Sequence, residues 1–104
     1  MKQIEITVAR LYLTEGEKQL DALLKRLRDW EKLRGVTVFR GISGFGDSGV
    51  IHNASLLDLS VHLPIVVEFF DTPEKIDAVI GHLERFIKPG HMVSWPARMS
   101  VADD

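Results

Sequence analysis

The sequence predicts an α+β domain in which a four-stranded antiparallel sheet carries two helices on one face. Three observations predict it: apolar spacing that switches between strand and helix periods, a glycine-rich stretch near the middle, and a nearly continuous apolar segment after that stretch. Together they give the element order β-α-β-β-α-β. We expect residues 1–104 to form a single domain, because no linker, repeat or low-complexity tract interrupts the pattern.

The first strand is predicted over residues 3–13. Ile4, Ile6 and Val8 share one face of an alternating pattern. From residue 9 onward the apolar positions change to the opposite phase. A strand that is apolar on one face and then on the other is expected in the interior of a sheet.

The first helix is predicted over residues 15–34. Thr14 and Glu17 have the spacing of a capping box, and Gly35 occupies the position at which a helix usually ends. Apolar residues recur between these signals at helical spacing, namely Leu20, Leu23, Leu24, Leu27 and Trp30.

Two further strands are predicted on either side of a glycine-rich loop. Residues 36–42 are rich in β-branched side chains and are bounded by glycines, which favours a second strand. Four glycines fall within residues 41–49, a density typical of a loop with wide backbone freedom. Residues 63–70 form an almost continuous apolar run, which is typical of a buried central strand.

The last helix and strand have clear boundary signals. Asp71 and Glu74 have capping-box spacing with a proline between them, and residues 88–90 are expected to end the helix. Residues 91–101 are predicted to form the last strand, and Pro96 favours a sheet edge because it cannot donate to a ladder. The helical period in between is carried by Ile76, Val79, Ile80, Leu83, Phe86 and Ile87.

The element order restricts the topology. Crossover connections are right-handed, so both helices are expected on the same face of the sheet. Strands one and three are then predicted at the centre, with strands two and four at the edges. This arrangement is the ferredoxin-like fold.

The third strand is apolar on both of its faces. Ile65, Val67 and Phe69 lie on one face, and Val66 and Phe70 lie on the other. Two helices can cover only one face, and a large uncovered apolar face is uncommon on a monomer. A second copy of the chain is therefore the expected cover.

The apolar pattern does not decide what covers the second face or what pairs with its polar residue. Residues 50–62 are an alternative cover, if they fold back over the sheet. Glu68 is the polar residue of the third strand, and a buried carboxylate needs a cation or hydrogen bonds. Arg10 and Arg98 on the neighbouring strands are the candidate partners, and we interpret the pair as structural.

Composition excludes several classes of protein. Thirteen basic and fifteen acidic residues leave a formal charge of −2, which argues against a nucleic-acid-coating protein. An RNA-recognition domain of the same element order would need exposed aromatic residues on both central strands, and Tyr12 is alone on the first. The absence of cysteine excludes disulfides, thiolate zinc sites and a cysteine nucleophile.

We expect a cytoplasmic protein that does not insert into a membrane. The first residues lack the pattern of a secretory signal peptide. No run in the sequence reaches the roughly 18 consecutive apolar residues that a spanning helix requires.

The glycine-rich segment is the strongest candidate for a ligand site. Glycines allow main-chain N–H groups to approach a ligand closely, and a concave run of such groups binds anions. Arg40 could add a positive charge, and His52 could donate a hydrogen bond or titrate near neutral pH. The segment is neither a Walker loop nor a dinucleotide fingerprint. Its alternative interpretation is a mobile connection between two strands.

Metal binding and catalysis have weaker signals. No two of the four histidines lie at ligand spacing on one element, so no metal is expected within one chain, although a site between subunits stays open. No serine lies in a Gly-x-Ser-x-Gly elbow, and a hydrolase would need a catalytic pair that the sequence does not display. We therefore do not expect an enzyme.

Several segments together resemble a known family. They run from Gly35 through the Gly-Phe-Gly sequence at residues 44–46 to His52, then over residues 59–68 and 71–76. The combination is similar to the DUF190 family, which consists of uncharacterised bacterial and archaeal proteins grouped with the PII-like signalling proteins. The resemblance covers almost the whole chain.

The resemblance implies an architecture and a role. It implies a trimer whose sheets face inward, with an effector such as an adenine nucleotide bound in the clefts between subunits. It also implies that the loop over residues 43–62 docks on a partner such as a membrane transporter of the fluoride-exporter type or an enzyme. The expected ligand-binding residues are Arg40, Gly41, Gly44, Phe45, Gly46, His52, Lys88 and Gly90.

The chain departs from this family pattern at two places. It has His62 where the family usually has an aspartate before Leu-Pro, and it has only the short sequence at residues 88–91 where PII proteins carry a glycine- and lysine-rich phosphate loop. The alternative function is that of a CutA-like trimeric metal-tolerance protein. That alternative predicts metal-dependent stability that is lost when His52 or His62 is changed.

Overall fold

The computed structural model describes residues 1–13, 17–46, 49–53 and 63–104, and it describes only the backbone of residues 17, 18, 52 and 53. The described elements are β1 (Lys2–Leu13), α1 (Glu17–Lys25), a π-helical segment (Arg26–Trp30), β2 (Gly35–Arg40), β3 (Ser43–Gly44), β4 (His52–Asn53), β5 (Ile65–Asp71), α2 (Pro73–Leu83) and β6 (Met92–Val101).

The main sheet has the strand order β2-β5-β1-β6, and every pairing in it is antiparallel. The prediction that the first and third long strands occupy the centre is confirmed. Pro96 lies in the edge strand β6 and is in register with Thr7. An edge strand accommodates a proline because one side of its backbone has no ladder partner.

The helices bury one face of this sheet. Alternate residues of the central strands enter the core, and helix residues spaced three or four apart meet them. The core consists of Ala9, Leu11, Leu13, Leu20, Leu23, Leu27, Ile65, Val67, Phe69, Ile76, Val79 and Leu83.

The first helix ends earlier than its apolar period predicts. After Lys25 the chain widens into the π-helical segment, where Glu31 N donates to Arg26 O at 3.0 Å. Lys32 then has a φ of 51°, a left-handed conformation that a residue with a side chain adopts only at a cost. The helix therefore stops by residue 31, and the predicted extension to residue 34 is wrong. The capping residue Thr14 lies outside the described residues.

Gly35 is the first residue of β2 and does not end a helix. A Cβ at this position would lie 3.2 Å from the ring of Phe70 on the neighbouring strand. Glycine here allows the close approach of that ring, a tertiary contact that the sequence pattern does not reveal.

The second helix begins one residue later than predicted. Thr72 is the N-cap, and its Oγ1 accepts a hydrogen bond from Lys75 N at 3.3 Å. Asp71 is still part of β5, and its buried carboxylate accepts from Thr72 N and from Arg34 N at 2.8 and 2.9 Å. The regular helix ends at Leu83, before the predicted stop at residues 88–90, and turns fill the interval.

The loop predicted over residues 43–62 contains ordered structure. Strands β3 and β4 pair as a short antiparallel ribbon, with Ser43 opposite Asn53 and Gly44 opposite His52. The second strand ends at Arg40, two residues before its predicted end. Residues 47–48 and 54–62 lie outside the described part of the chain.

Candidate functional site

The second face of the main sheet is apolar and is not covered by the helices. We call it the open face. Residues of β5 alternate between buried and half-buried along the strand, and the half-buried set is Val66, Glu68 and Phe70. Large side chains on the same face of the other strands are exposed, with values of 40% for Tyr12, 48% for Phe39, 42% for Val93 and 38% for Trp95. The described residues therefore present the two-faced strand that the sequence predicts.

Residues 50–62 were the alternative cover for this face. Val50 and Ile51 are exposed, at 55% and 64%. The remainder of that segment, apart from the backbone of residues 52 and 53, lies outside the described residues.

An ion pair lies at the centre of this open face. Arg10 and Glu68 are directly opposite each other on β1 and β5, and Glu68 Oε1 accepts from Nη2 and Nε of Arg10 at 2.6 and 3.1 Å. The hydrogen bond to Glu68 raises the pKa of Arg10 above its ordinary value. The Arg10 guanidinium also lies 5.5 Å from the ring centroid of Trp95. Arg98, the other candidate partner, is in register with Glu5 instead.

The first group of predicted ligand residues surrounds Pro64. Arg40 is the last residue of β2 and is in register with Ile65. Gly41 N donates to Pro64 O at 2.8 Å, and a Cβ at Gly41 would lie 2.6 Å from Pro64 Cγ. A Cβ at Gly44 would lie 3.1 Å from the same atom. Both glycines thus lie close to Pro64, and a Cβ at Gly41 would force the proline or the backbone to shift.

The ribbon carries the remaining residues of this group. The ladder places His52 opposite Gly44, whereas the side chain of His52 lies outside the described residues. Gly46 accepts a backbone hydrogen bond from Gly49 at 2.9 Å in a turn where Gly49 has a φ of 74°. Phe45 is 73% exposed. The ribbon therefore exposes both backbone polar groups and apolar side chains.

The second group lies at the other edge of the sheet. Lys88 and Gly90 precede β6, and Gly90 has a φ of 85° in a turn closed by His91 N donating to Lys88 O at 3.1 Å. The antiparallel pairings put this turn and Arg40 at the same end of the sheet. They are separated by three strand spacings, or about 14 Å. One chain therefore brings the predicted residues to one end of the sheet in two separate groups.

Two residues near the second group were not predicted from the sequence. Tyr12 N donates to His91 O at 2.8 Å, and His91 Nδ1 lies 3.1 Å from Tyr12 O. Both residues line a small cleft of about 40 Å³ together with Lys88. Main-chain contacts of this kind have no signature in the sequence, although the alternation of the first strand does place Tyr12 on the open face.

Within the described ranges, no three His, Asp or Glu side chains lie close enough together to hold a metal ion. The side chains of His52 and His62, on which the metal alternative depends, lie outside those ranges. No helix among the described residues is long and apolar enough to cross a bilayer.

Solved structures of similar fold include two kinds of protein. CPII from Thiomonas intermedia K12, a nitrogen regulatory PII-like protein bound to ADP, AMP and bicarbonate, superposes with a TM-score of 0.67 at 18% identity, covering 96% of this chain and 91% of CPII. The divalent ion tolerance protein CutA1 from Ehrlichia chaffeensis superposes with a TM-score of 0.61 at 11% identity, covering 95% and 85%. These likenesses confirm the predicted ferredoxin-like, PII-like fold.

Sequence similarity is stronger within one family. The UPF0166 protein MJ1524 of Methanocaldococcus jannaschii is 33% identical over 98 residues, which cover 86% of each chain. The family model of DUF190, described as "Uncharacterized ACR", matches residues 1–99. The predicted resemblance is confirmed, and the chain belongs to the DUF190 family.

Proposed function

We propose that this protein is a PII-like regulatory protein that binds a small anionic effector in clefts between the subunits of a homo-oligomer. The observation that carries the proposal is the position of the two predicted ligand groups, at opposite edges of the same end of the sheet. A cleft that joins the β2 edge of one subunit to the β6 edge of the next would unite them. The role is regulatory and requires no catalytic step.

The open face supports an oligomer. Apolar side chains of all four main strands surround the Arg10–Glu68 pair on it, and a face of this kind is usually covered by another chain. Rotational symmetry would bring identical faces together and place each β2 edge near a neighbouring β6 edge. The family resemblance favours three subunits.

The chemistry of the two groups favours an anion. Arg40 and Lys88 each contribute a cation at the end of the sheet. An adenine nucleotide is the leading candidate, because the CPII structure of similar fold contains ADP, AMP and bicarbonate. The phosphates would contact the cationic groups of two different subunits.

The ribbon is the proposed contact with a partner such as a transporter or an enzyme. Apolar side chains on and beside it are largely exposed, with values of 79% for Ile42, 73% for Phe45 and 64% for Ile51. An exposed apolar cluster on a projecting segment is typical of a protein interaction site. Effector binding at the base of the ribbon, near Gly44, would change the conformations that it presents.

A titration of the full chain with ADP, AMP and bicarbonate tests the proposed ligand class. We expect ADP to raise the unfolding midpoint, because a ligand that binds only the folded state stabilises it. Arg40→Gln and Lys88→Gln should each weaken binding about tenfold or more, since each removes a charge-assisted hydrogen bond. Lys25→Gln, which changes an exposed lysine of α1, is the matched control and should leave affinity unchanged.

Mixing subunits tests the location of the site. If each cleft takes Arg40 from one subunit and Lys88 from the next, hetero-oligomers of the two variants contain some clefts with both residues intact. Mixed samples should then recover part of the binding that each pure variant lacks. A site built within one chain would show no recovery, and that result would overturn the intersubunit proposal.

The CutA-like alternative makes a different prediction. It requires that a divalent metal such as Cu²⁺ or Zn²⁺ raise the unfolding midpoint and that changing His52 or His62 to alanine abolish the effect. Stabilisation by metal together with no response to any nucleotide would replace the proposed function with this alternative.

A further inference from the structure

A groove lies between the two helices on the side of the molecule opposite the open sheet face. Its volume is about 280 Å³. Leu23 and Leu83 contribute buried side chains to it. Ala22 has only a small side chain on one wall, and Phe86 on the other wall is 58% exposed. The described residues that line it are Gln19, Ala22, Leu23, Arg26, Leu83, Phe86 and Ile87.

The side chain of Arg26 adds a positive charge to the lining of this mostly apolar groove. The Arg26 guanidinium lies 5.3 Å from the ring centroid of Phe86, and its Nε lies 3.3 Å from Glu31 Oε2. The Glu31 carboxylate is itself held by His82, whose Nδ1 lies 2.9 Å from Oε1. The ring and the carboxylate together position Arg26 before any ligand arrives.

The guanidinium retains capacity to donate. Its Nε is buried and faces Glu31, so the donors that a ligand in the groove can reach are the N–H groups of Nη1 and Nη2. Of the described residues that line the groove, none is acidic. The smaller cleft beside it shares Phe86 and Ile87 and adds Lys88. Arg26 is therefore the group through which the groove would bind an anion.

We propose that this groove binds a small organic carboxylate with an aromatic or branched aliphatic body. The carboxylate pairs with Arg26, as guanidinium and carboxylate groups do in charge-assisted hydrogen bonds, and the apolar body lies between Leu83 and Phe86. An apolar cavity of about 150 Å³ holds one benzene ring, so the groove has room for a ring and a short side chain. None of the described residues that line the groove belongs to the proposed effector cleft, although the small neighbouring cleft contains Lys88.

A pair of probes tests the proposal on the unmodified protein. 3-Phenylpropionate carries the carboxylate, and 3-phenylpropanamide has the same shape without the charge. In amide-resolved NMR titrations of the full chain, we expect the acid to shift the signals of Ala22, Leu83 and Phe86. The affinity of the amide should be lower by about tenfold or more. Equal affinity of the two probes, or no shift at millimolar acid, would overturn the proposal.

Two variants locate the site. Ala22→Phe fills the groove from an exposed position of α1 and should abolish the shifts without unfolding the protein. Arg26→Gln should weaken binding of the acid about tenfold while leaving that of the amide unchanged. Arg28→Gln is the matched control, because Arg28 is exposed on the same π-helical segment and pairs with Asp29. Binding that survives Ala22→Phe, or that falls equally in Arg28→Gln, would place the probe elsewhere and refute the assignment.

Discussion

Arg10 and Glu68 form a hydrogen-bonded ion pair across the two central strands, with 2.6 Å between Arg10 Nη2 and Glu68 Oε1. Their side chains are 35% and 25% exposed, in the middle of a face that is otherwise apolar. A partly exposed pair contributes little to the stability of one chain. It becomes important when a neighbouring subunit removes the remaining water, because either partner alone would then be a buried charge.

Arg10→Met is therefore expected to weaken the proposed oligomer more than the single chain. The substitution keeps apolar bulk near Trp95 and leaves Glu68 without its cation. The dissociation constant of the oligomer should rise about tenfold or more, which sedimentation over a dilution series would measure. Arg98→Met is the matched control, since Arg98 is exposed on the other face of β6. Identical sedimentation of the two variants would show that the open face is not the interface.

The sequence predicts the sheet but not the ends of its helices. Strand order follows from right-handed crossovers and from a third strand apolar on both faces, and both are expressed in local patterns. The left-handed Lys32 has no local signature. Its conformation is held by tertiary contacts, because Lys75 Nζ donates to Lys32 O at 2.6 Å and Arg34 N donates to the Asp71 carboxylate. A period of apolar residues cannot report such contacts.

The candidate site is predictable only in part for a related reason. Composition and spacing identify the glycine-rich segment, and the structure places Arg40, Gly41 and Gly44 together around Pro64. The residues before β6 lie at the opposite edge of the same end of the sheet. In the proposed cleft a second chain would bring the two groups together, and the spacing of residues in one sequence cannot reveal a contact between chains.

Gly41→Ala is expected to destabilise the base of the ribbon. The added Cβ would lie 2.6 Å from Pro64 Cγ, which is part of a rigid ring. Overpacking of this kind costs about 1–3 kcal/mol in the free energy of unfolding. Gly81→Ala is the opposite control, because a Cβ there meets nothing within 4 Å and alanine favours the helix by about 1 kcal/mol. Urea unfolding measures both changes, and a neutral Gly41→Ala would contradict the required close approach.

Lys32→Gly is expected to stabilise the protein. The φ of 51° costs a residue with a side chain about 1 kcal/mol relative to glycine, and the carbonyl that accepts from Lys75 is retained. The greater freedom of glycine in the unfolded chain offsets part of this gain. Lys25→Gly, at the end of α1, should instead lower the free energy of unfolding by about 1 kcal/mol. Urea midpoints that fall for both variants would show that the lysine backbone is not strained.

The sequence pattern predicts that Asp71 caps α2, whereas in the structure Thr72 is the cap and Asp71 has a different role. Thr72 caps the helix, so Thr72→Ala should lower the free energy of unfolding by about 1 kcal/mol. Asp71 joins the helix start to the segment before β2, because its two oxygens accept from Thr72 N and Arg34 N. Asp71→Ala should therefore lower the free energy of unfolding by more, about 2 kcal/mol or above, since it leaves a part-buried Arg34 N–H without its acceptor.

Hydrogen exchange distinguishes the roles: Asp71→Ala should accelerate exchange at Arg34, whereas Thr72→Ala should accelerate it at Lys75 alone. Equal exchange at Arg34 in the two variants would mean that Asp71 acts only as a helix cap.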